Sequence, residues 1–292
     1  MVKYMKNFKE SVMHAVLLLC ALTVIGYVIL ISAYLILSGI PAIGTIGLRE
    51  FLFGTVWAPT NATEAGFGIL PMILTSLYGT FAAAALGVPI GILAAIYIAK
   101  LAPRSVANVL RPMISLLAGI PSVVYGLVGM LLLVPTLRSA LDLPAGDSLL
   151  AAIIVLTVMI LPSVISVSDT ALSAVPREYE EGSLALGATQ TETFFRVSVK
   201  AARSGLMAAV VLGIGRAVGE AMAILMVAGN VANMPSLLKS VRFLTTGIAA
   251  EMNYAAPGSL QRQALFSIGL VLFIFIIAIN LLLQTIVRRG KE

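Results

Sequence analysis

"SDTALSAVPREYEEGSLALGATQTETFFRVSVKAARSGL", residues 168–206, is too polar to cross a membrane and too short to be an independent domain with a core of its own. Pro176 stands at a helix start and Gly187 at a turn, and an amphipathic segment runs from Thr191 to about Lys200, so the stretch predicts two short helices joined at a bend. Outward in both directions the chain turns strongly apolar. Of its 292 residues 60% are hydrophobic and 11% charged, with a mean hydropathy of +1.04. Soluble domains carry about a quarter charged residues, so this composition describes an integral membrane protein.

Apolar runs long enough to cross roughly 30 Å of hydrocarbon as helix recur throughout. Six spans are predicted, at 12–38, 70–98, 109–135, 148–168, 205–229 and 264–286. The alternating segments of about ten residues that build a membrane β-barrel are not evident. The first run exceeds a signal-peptide core and no convincing cleavage site follows, so it is expected to be retained. With the N-terminus inside, the inner stretches hold thirteen basic residues: Lys3, Lys6, Lys9, Lys100, Arg104, Arg111, Arg177, Arg196, Lys200, Arg203, Arg288, Arg289 and Lys291. The outer stretches hold five, Arg49, Arg138, Lys239, Arg242 and Arg262. This bias predicts six crossings with both termini cytoplasmic. The net charge of +6 is thereby explained by topology, and nucleic acid is a poor reading of it.

Outside, residues 39–69 predict a short interfacial helix around Leu48–Phe53 with Trp57 near the headgroups, and 231–263 reads mostly as a connecting loop. Asn61, Ala62 and Thr63 match a glycosylation sequon, a three-residue pattern with a high false-positive rate. His14 is the only histidine and reads as interfacial. Cys20 is the only cysteine, which excludes an intrachain disulfide, and it reads as ordinary helix packing. No multi-histidine metal cluster is possible.

The fifth span holds "GIGRAVGEAMAILMVAGN", residues 213–230, with two charges where each is costly. One charge at mid-membrane carries an apparent insertion cost of roughly 2.5–3.5 kcal/mol. Arg216 and Glu220 are four apart, so a continuous helix would place them on one face where they can pair. Gly213, Gly215 and Gly219 would let another helix or a ligand approach. The pair reads either as a fixed ion pair for subunit association or as residues on an anion pathway, where Arg216 offers a forked donor set and Glu220 restrains or releases it. In the third span, Gly119 and Pro121 predict a functional kink. No Walker A, HExxH or GxSxG sequence is present, so the polar insert reads as a docking surface rather than an engine.

Glu181, Gly182, Ser183 and Gly187 resemble the cytoplasmic "EAA" loop of ABC importer permeases: an acid, two small residues, three intervening residues and a glycine. More of the chain is similar to the PstC type of phosphate-importer permease. That resemblance rests on "FLFGTVWAPT" (51–60), "FGILPMI" (67–73), "RPMISLLAGIPSVVYGL" (111–127), "VPREYEEGSLALGAT" (175–189) and "GRAVGEAMAILMVAGN" (215–230), in matching order. The Val199-Lys200 sequence departs from the Leu-Pro that often follows the loop in the family. The resemblance implies an all-α, polytopic chain of type I importer architecture in a bacterial or archaeal cytoplasmic membrane. It further implies a heterodimer with PstA, phosphate delivery by the external binding protein PstS, and drive from a cytoplasmic PstB dimer that requires ATP and Mg. The chain itself would bind no cofactor. Arg216 and Glu220 fall on the charged residues that the family links with phosphate passage, and Glu181, Gly182, Ser183 and Gly187 on the ATPase-coupling loop.

Three parts are expected: a first helix with an external segment (1–69), a permease core (70–287) carrying the coupling loop at 169–204, and a cytoplasmic tail (288–292). Sulfate or molybdate is the alternative cargo, since one arginine does not identify a tetrahedral oxyanion. An intramembrane enzyme using Glu220 would need further convergent groups, and Asp169, Asn230, Asn280 and Gln284 make no recognisable set. A purely structural membrane adaptor gives no reason for the loop together with the buried charges.

Overall fold

The structure is a computed structural model that describes residues 2–61 and 63–289, and the side chains of residue 10 and of 12–61 and 63–285. Ala62, the tail beyond 289 and the side chains of Lys3, Lys6, Lys9, Arg288 and Arg289 lie outside the described set. Helices dominate. Among the described residues, five are long and apolar enough to cross a membrane: Val12–Ile46, Leu70–Leu101, Ser122–Ala140, Leu149–Ser173 and Leu260–Thr285. A sixth candidate is the segment Gln190–Ala201 plus Arg203–Gly219, bent by 73°.

The centre of the bundle is α7 (Leu149–Ser173), which packs along α3 (Leu70–Ile96) and α11 (Arg203–Gly219). Small residues make this possible. A Cβ on Gly87 or Gly91 of α3 would fall 2.7 Å from Ile160 or Val164, and one on Gly213 of α11 would fall 2.8 Å from Val164. Without side chains there, the backbones approach closely and bury Ala83, Leu156, Met159, Ile160 and Ala217. Gly215 and Gly219 behave differently, since a Cβ at either would meet nothing; with Leu212 they form an exposed face of α11.

Among the described residues, the first helix, α1 (Val2–Ile46), docks through its C-terminal part. There the Ser267 hydroxyl donates to the Gly39 carbonyl at 2.6 Å, and Tyr34 meets Phe266 edge-on. Its apolar surface from Val12 to Leu37 is largely exposed, as for a helix facing lipid or another subunit, and Cys20 lies on that surface rather than in packing. The predicted interfacial helix forms as α2 (Leu48–Phe53), anchored by buried Phe51 and followed by a two-stranded hairpin, β1 (Trp57–Ala58) with β2 (Gly66–Phe67).

Two expectations change. The third span is not 109–135. Helix α4 (Arg104–Ala118) ends at Gly119, Pro121 opens α5 (Ser122–Val128), and the crossing runs through a π-helical turn into α6 (Val134–Ala140). Pro121 lacks an N–H and clashes with a preceding turn, so the expected kink is a complete break. The second change concerns 231–263, which is mostly without helix, as a connecting loop would be, but packs into the bundle rather than merely linking its neighbours. Its residues return into the bundle, with Leu149 and Leu150 N–H donating to the Lys239 and Leu237 carbonyls and Leu244 N–H to the Ser76 hydroxyl. Helix α13 (Leu244–Glu251) buries Leu244, Thr245, Thr246 and Gly247.

Candidate functional site

The predicted fifth span breaks at the charged pair. Helix α11 stops at Gly219, Glu220 is extended (φ −73°, ψ 133°), and a short α12 (Met222–Val227) resumes. A break in an apolar layer strands backbone donors and acceptors that must be satisfied from within. Glu220 supplies much of that satisfaction. Its Oε1 accepts from the Ala223 N–H at 2.9 Å, and its carbonyl accepts from the Thr245 hydroxyl of α13 at 2.7 Å. The carboxylate thus caps α12 from a buried position.

Arg216 therefore does not pair with Glu220. The ion pairs among the described residues are Lys100–Glu180, Arg111–Asp169 and Arg242–Glu251. Arg216 Nη1 instead donates to the Ser163 hydroxyl of α7 at 2.6 Å, with Tyr125 of α5 within electrostatic range. The loss of helical geometry at Glu220 removes the i, i+4 relation on which the pairing rested. The result is a half-buried guanidinium beside the open Gly215 and Gly219 face, held by a neutral hydroxyl.

The second break adjoins it. The Tyr125 hydroxyl reaches back over Gly119–Pro121 to the Leu117 carbonyl at 2.7 Å, satisfying an acceptor at the end of α4. Two interrupted helices, α4/α5 and α11/α12, are thus brought near Arg216 by α7. Ser163 and Tyr125 were not singled out in the sequence. Ser163 follows Pro162 in an apolar run and carries no pattern of its own, and its partner is 53 residues away.

Glu220→Gln tests the cap, because the amide oxygen can still accept from Ala223 whereas Glu220→Ala cannot. We expect the glutamine variant to keep its thermal unfolding midpoint and the alanine variant to lose about 1–2 kcal/mol. Equal losses in detergent-solubilised protein would count against capping.

The polar insert folds as two helical pieces at a bend. Helix α8 (Arg177–Ala185) starts after Pro176, and Gly187 takes φ +87°, a conformation that favours glycine. Thr189 and Glu192 form a capping box on α9 (Gln190–Thr193), which continues through a π-helical turn into α10 (Val199–Ala201). Ser183 and Thr193 hydroxyls meet at 2.9 Å and tie the two arms. Glu181 and Gly182 are exposed, as are Tyr179 and Leu186, leaving a mixed acidic and apolar face open.

The acid that holds this hairpin to the bundle is its neighbour. Glu180 pairs with Lys100, in the π-helical turn Tyr97–Leu101 that continues α3 (2.5 Å), and accepts from the Ser198 hydroxyl at 2.7 Å. Burial pushes the Glu180 carboxyl up, but hydrogen bonds from Lys100 and Ser198 and the charges of Lys100 and Arg177 outweigh it, so its pKa lies below the usual glutamate value. Helical phase was the available signal, since Glu180 and Leu184 share a face that lines one cavity with Lys100.

The model of a family described as "Binding-protein-dependent transport system inner membrane component" matches residues 87–291. The chain is 41% identical over 275 residues to the "Probable ABC transporter permease protein YqgH" of Bacillus subtilis (strain 168), covering 93% of this chain and 89% of that protein. It is 33% identical over 263 residues to the "Phosphate transport system permease protein PstC" of Haemophilus influenzae, covering 83% and 82%. Among solved structures, it superposes on a chain of the inward-facing MetNI methionine ABC transporter with a TM-score of 0.60. That match is 21% identical and covers 77% of this chain and 96% of the other, a likeness of fold.

Proposed function

We propose a function from one premise: this chain belongs to the binding-protein-dependent transport system inner membrane components and has the multi-pass fold of a type I ABC importer permease. It forms half of the pathway for ATP-driven import of inorganic phosphate across a bacterial or archaeal cytoplasmic membrane. The observation that carries phosphate is similarity at 30–33% identity, over 83–91% of this chain, to several permeases named PstC. Arg216 supplies matching chemistry, a forked donor for a tetrahedral oxyanion. Its neutral Ser163 partner leaves the charge uncompensated at the site, so an entering anion need not displace a carboxylate.

In this reading PstA is the second permease, PstS delivers phosphate to the outer surface, and a PstB dimer docks on the exposed face around Glu181 and Gly182. The thirteen-to-five basic bias supports cytoplasmic termini. ATP closes the PstB dimer, and the hairpin 177–201 passes that movement to α3 through Glu180 and Lys100 and to α11 through its continuous chain. This is coupling between two states rather than chemistry in this subunit. Phosphate is held weakly at Arg216, because tight binding would prevent its release.

The test is co-purification with the partner subunits, reconstitution in vesicles and measurement of ATP-dependent uptake of phosphate against sulfate. Phosphate uptake is expected. A complete, ATPase-active complex that moves sulfate but not phosphate overturns the reading. Glu181→Lys is expected to weaken ATPase attachment or coupling while leaving the subunit folded, because Glu181 is exposed. Unchanged PstB association and unchanged uptake would count against the docking role.

A further inference from the structure

From Ser163, α7 runs six residues to Asp169, roughly 9 Å along the axis at 1.5 Å per residue. There Asp169 accepts a two-pronged fork from Arg111 of α4, Nε to Oδ2 at 2.8 Å and Nη2 to Oδ1 at 3.1 Å. Arg111 keeps 44% of its side chain exposed. A cavity of about 170 Å³ adjoins the fork, lined by Ser115, Ser166 and Thr170 together with Arg111 and Asp169 and closed by three isoleucines. At about 30 Å³ per water this is room for a small hydrated oxyanion. Ser163, Ser166 and Thr170 recur at i, i+3 and i+7, one face of α7, and Ser166 and Thr170 are exposed. The same helix face thus connects the Arg216 contact to a second arginine beside three hydroxyls.

Resting on the phosphate-permease reading, we propose that Arg111 and Asp169 form a second anion station between Arg216 and the inner end of the path. Asp169 holds the guanidinium fork while the station is empty. An arriving phosphate takes Arg111 from Asp169, and the freed carboxylate then competes for the same donors and repels the anion, which keeps occupancy brief. The contrast with Arg216 is chemical: the first arginine has a neutral partner and suits capture, whereas the second has an anionic one and suits release. The rival role for the fork is a fixed brace between α4 and α7.

The experiment uses the complete reconstituted complex. Arg111→Ala is expected to lower maximal phosphate uptake about tenfold, the loss of one charge-assisted hydrogen bond, with ATPase activity retained. Asp169→Asn should lower both the apparent KM and the maximal rate, because phosphate then leaves slowly; a brace would not lower KM. Access is read independently in a Cys20→Ser background carrying Ser166→Cys. A negatively charged methanethiosulfonate should react there faster than a positively charged one, phosphate should slow it, and Arg111→Ala should remove the preference. Equal rates for the two reagents, or full uptake restored by Arg111→Asp combined with Asp169→Arg, would overturn the station. Sulfate uptake without phosphate uptake would refute the phosphate reading alone, since the anionic preference at residue 166 would persist.

Discussion

Arg216→Ala is expected to reduce phosphate uptake by about a hundredfold while the complex still assembles. A guanidinium that makes two charge-assisted hydrogen bonds to a passing anion contributes about 3 kcal/mol at 1.5 kcal/mol or more each, and 2.7 kcal/mol is a factor of a hundred. The cost to the fold is small by comparison. The described partner of Arg216 is the Ser163 hydroxyl, and the packing of α11 is carried by Gly213, Ile214, Ala217 and Val218. Lysine at 216 keeps the charge without the fork and should fall between wild type and alanine. Uptake assays beside size-exclusion profiles separate the outcomes. Loss of assembly with Arg216→Ala, rather than loss of transport, would make Arg216 a packing residue.

The largest effect on stability is expected at Gly229. Here φ is +82°, and an added Cβ would overlap the Asp147 carboxylate and lie 2.6 Å from the Ser240 hydroxyl. That crowded point closes the end of the bundle where α7 begins and α12 ends. Val241 N–H donates to the Ala228 carbonyl at 2.8 Å, Ser148 N–H to the Val227 carbonyl at 3.1 Å, and the Ser240 hydroxyl to Asp147 Oδ2 at 2.7 Å. Beyond it, Glu251 gathers Trp57 from the hairpin, Arg242 and Gln261. Gly229→Val combines left-handed backbone strain with overpacking, and we expect about 4 kcal/mol of destabilisation. A thermal midpoint within a few degrees of wild type would show that segment 231–243 relaxes around the new side chain.

Much of this architecture could be read from local pattern. Apolar length located the second, fourth and sixth spans to within a few residues at most ends, because a helix in hydrocarbon satisfies its own backbone and needs only about 20 apolar residues. Pro176 and Gly187 marked the helical hairpin 177–201 through fixed φ and left-handed tolerance, both properties of single residues. Leu48–Phe53 was likewise legible. Gly119 and Pro121 announced an interruption, although the pattern did not distinguish a kink from the full break that shifts the third crossing to Ser122–Ala140.

The charged stretch 213–230 shows where that legibility stops. Its sequence determined that an arginine and a glutamate lie within an apolar segment and therefore need partners. Which partners they find depends on residues far away in the chain. No proline marks the break after Gly219. It is sustained by Thr245, 25 residues on, and by Glu220 turning to the Ala223 N–H, while Arg216 finds Ser163 on a helix 53 residues back. Helical periodicity relates neighbours three and four apart along a continuous ladder. Once distant side chains satisfy the backbone groups of an opened turn, that ladder no longer governs, and the apparent ion pair becomes a cap and a half-buried cation held by a hydroxyl.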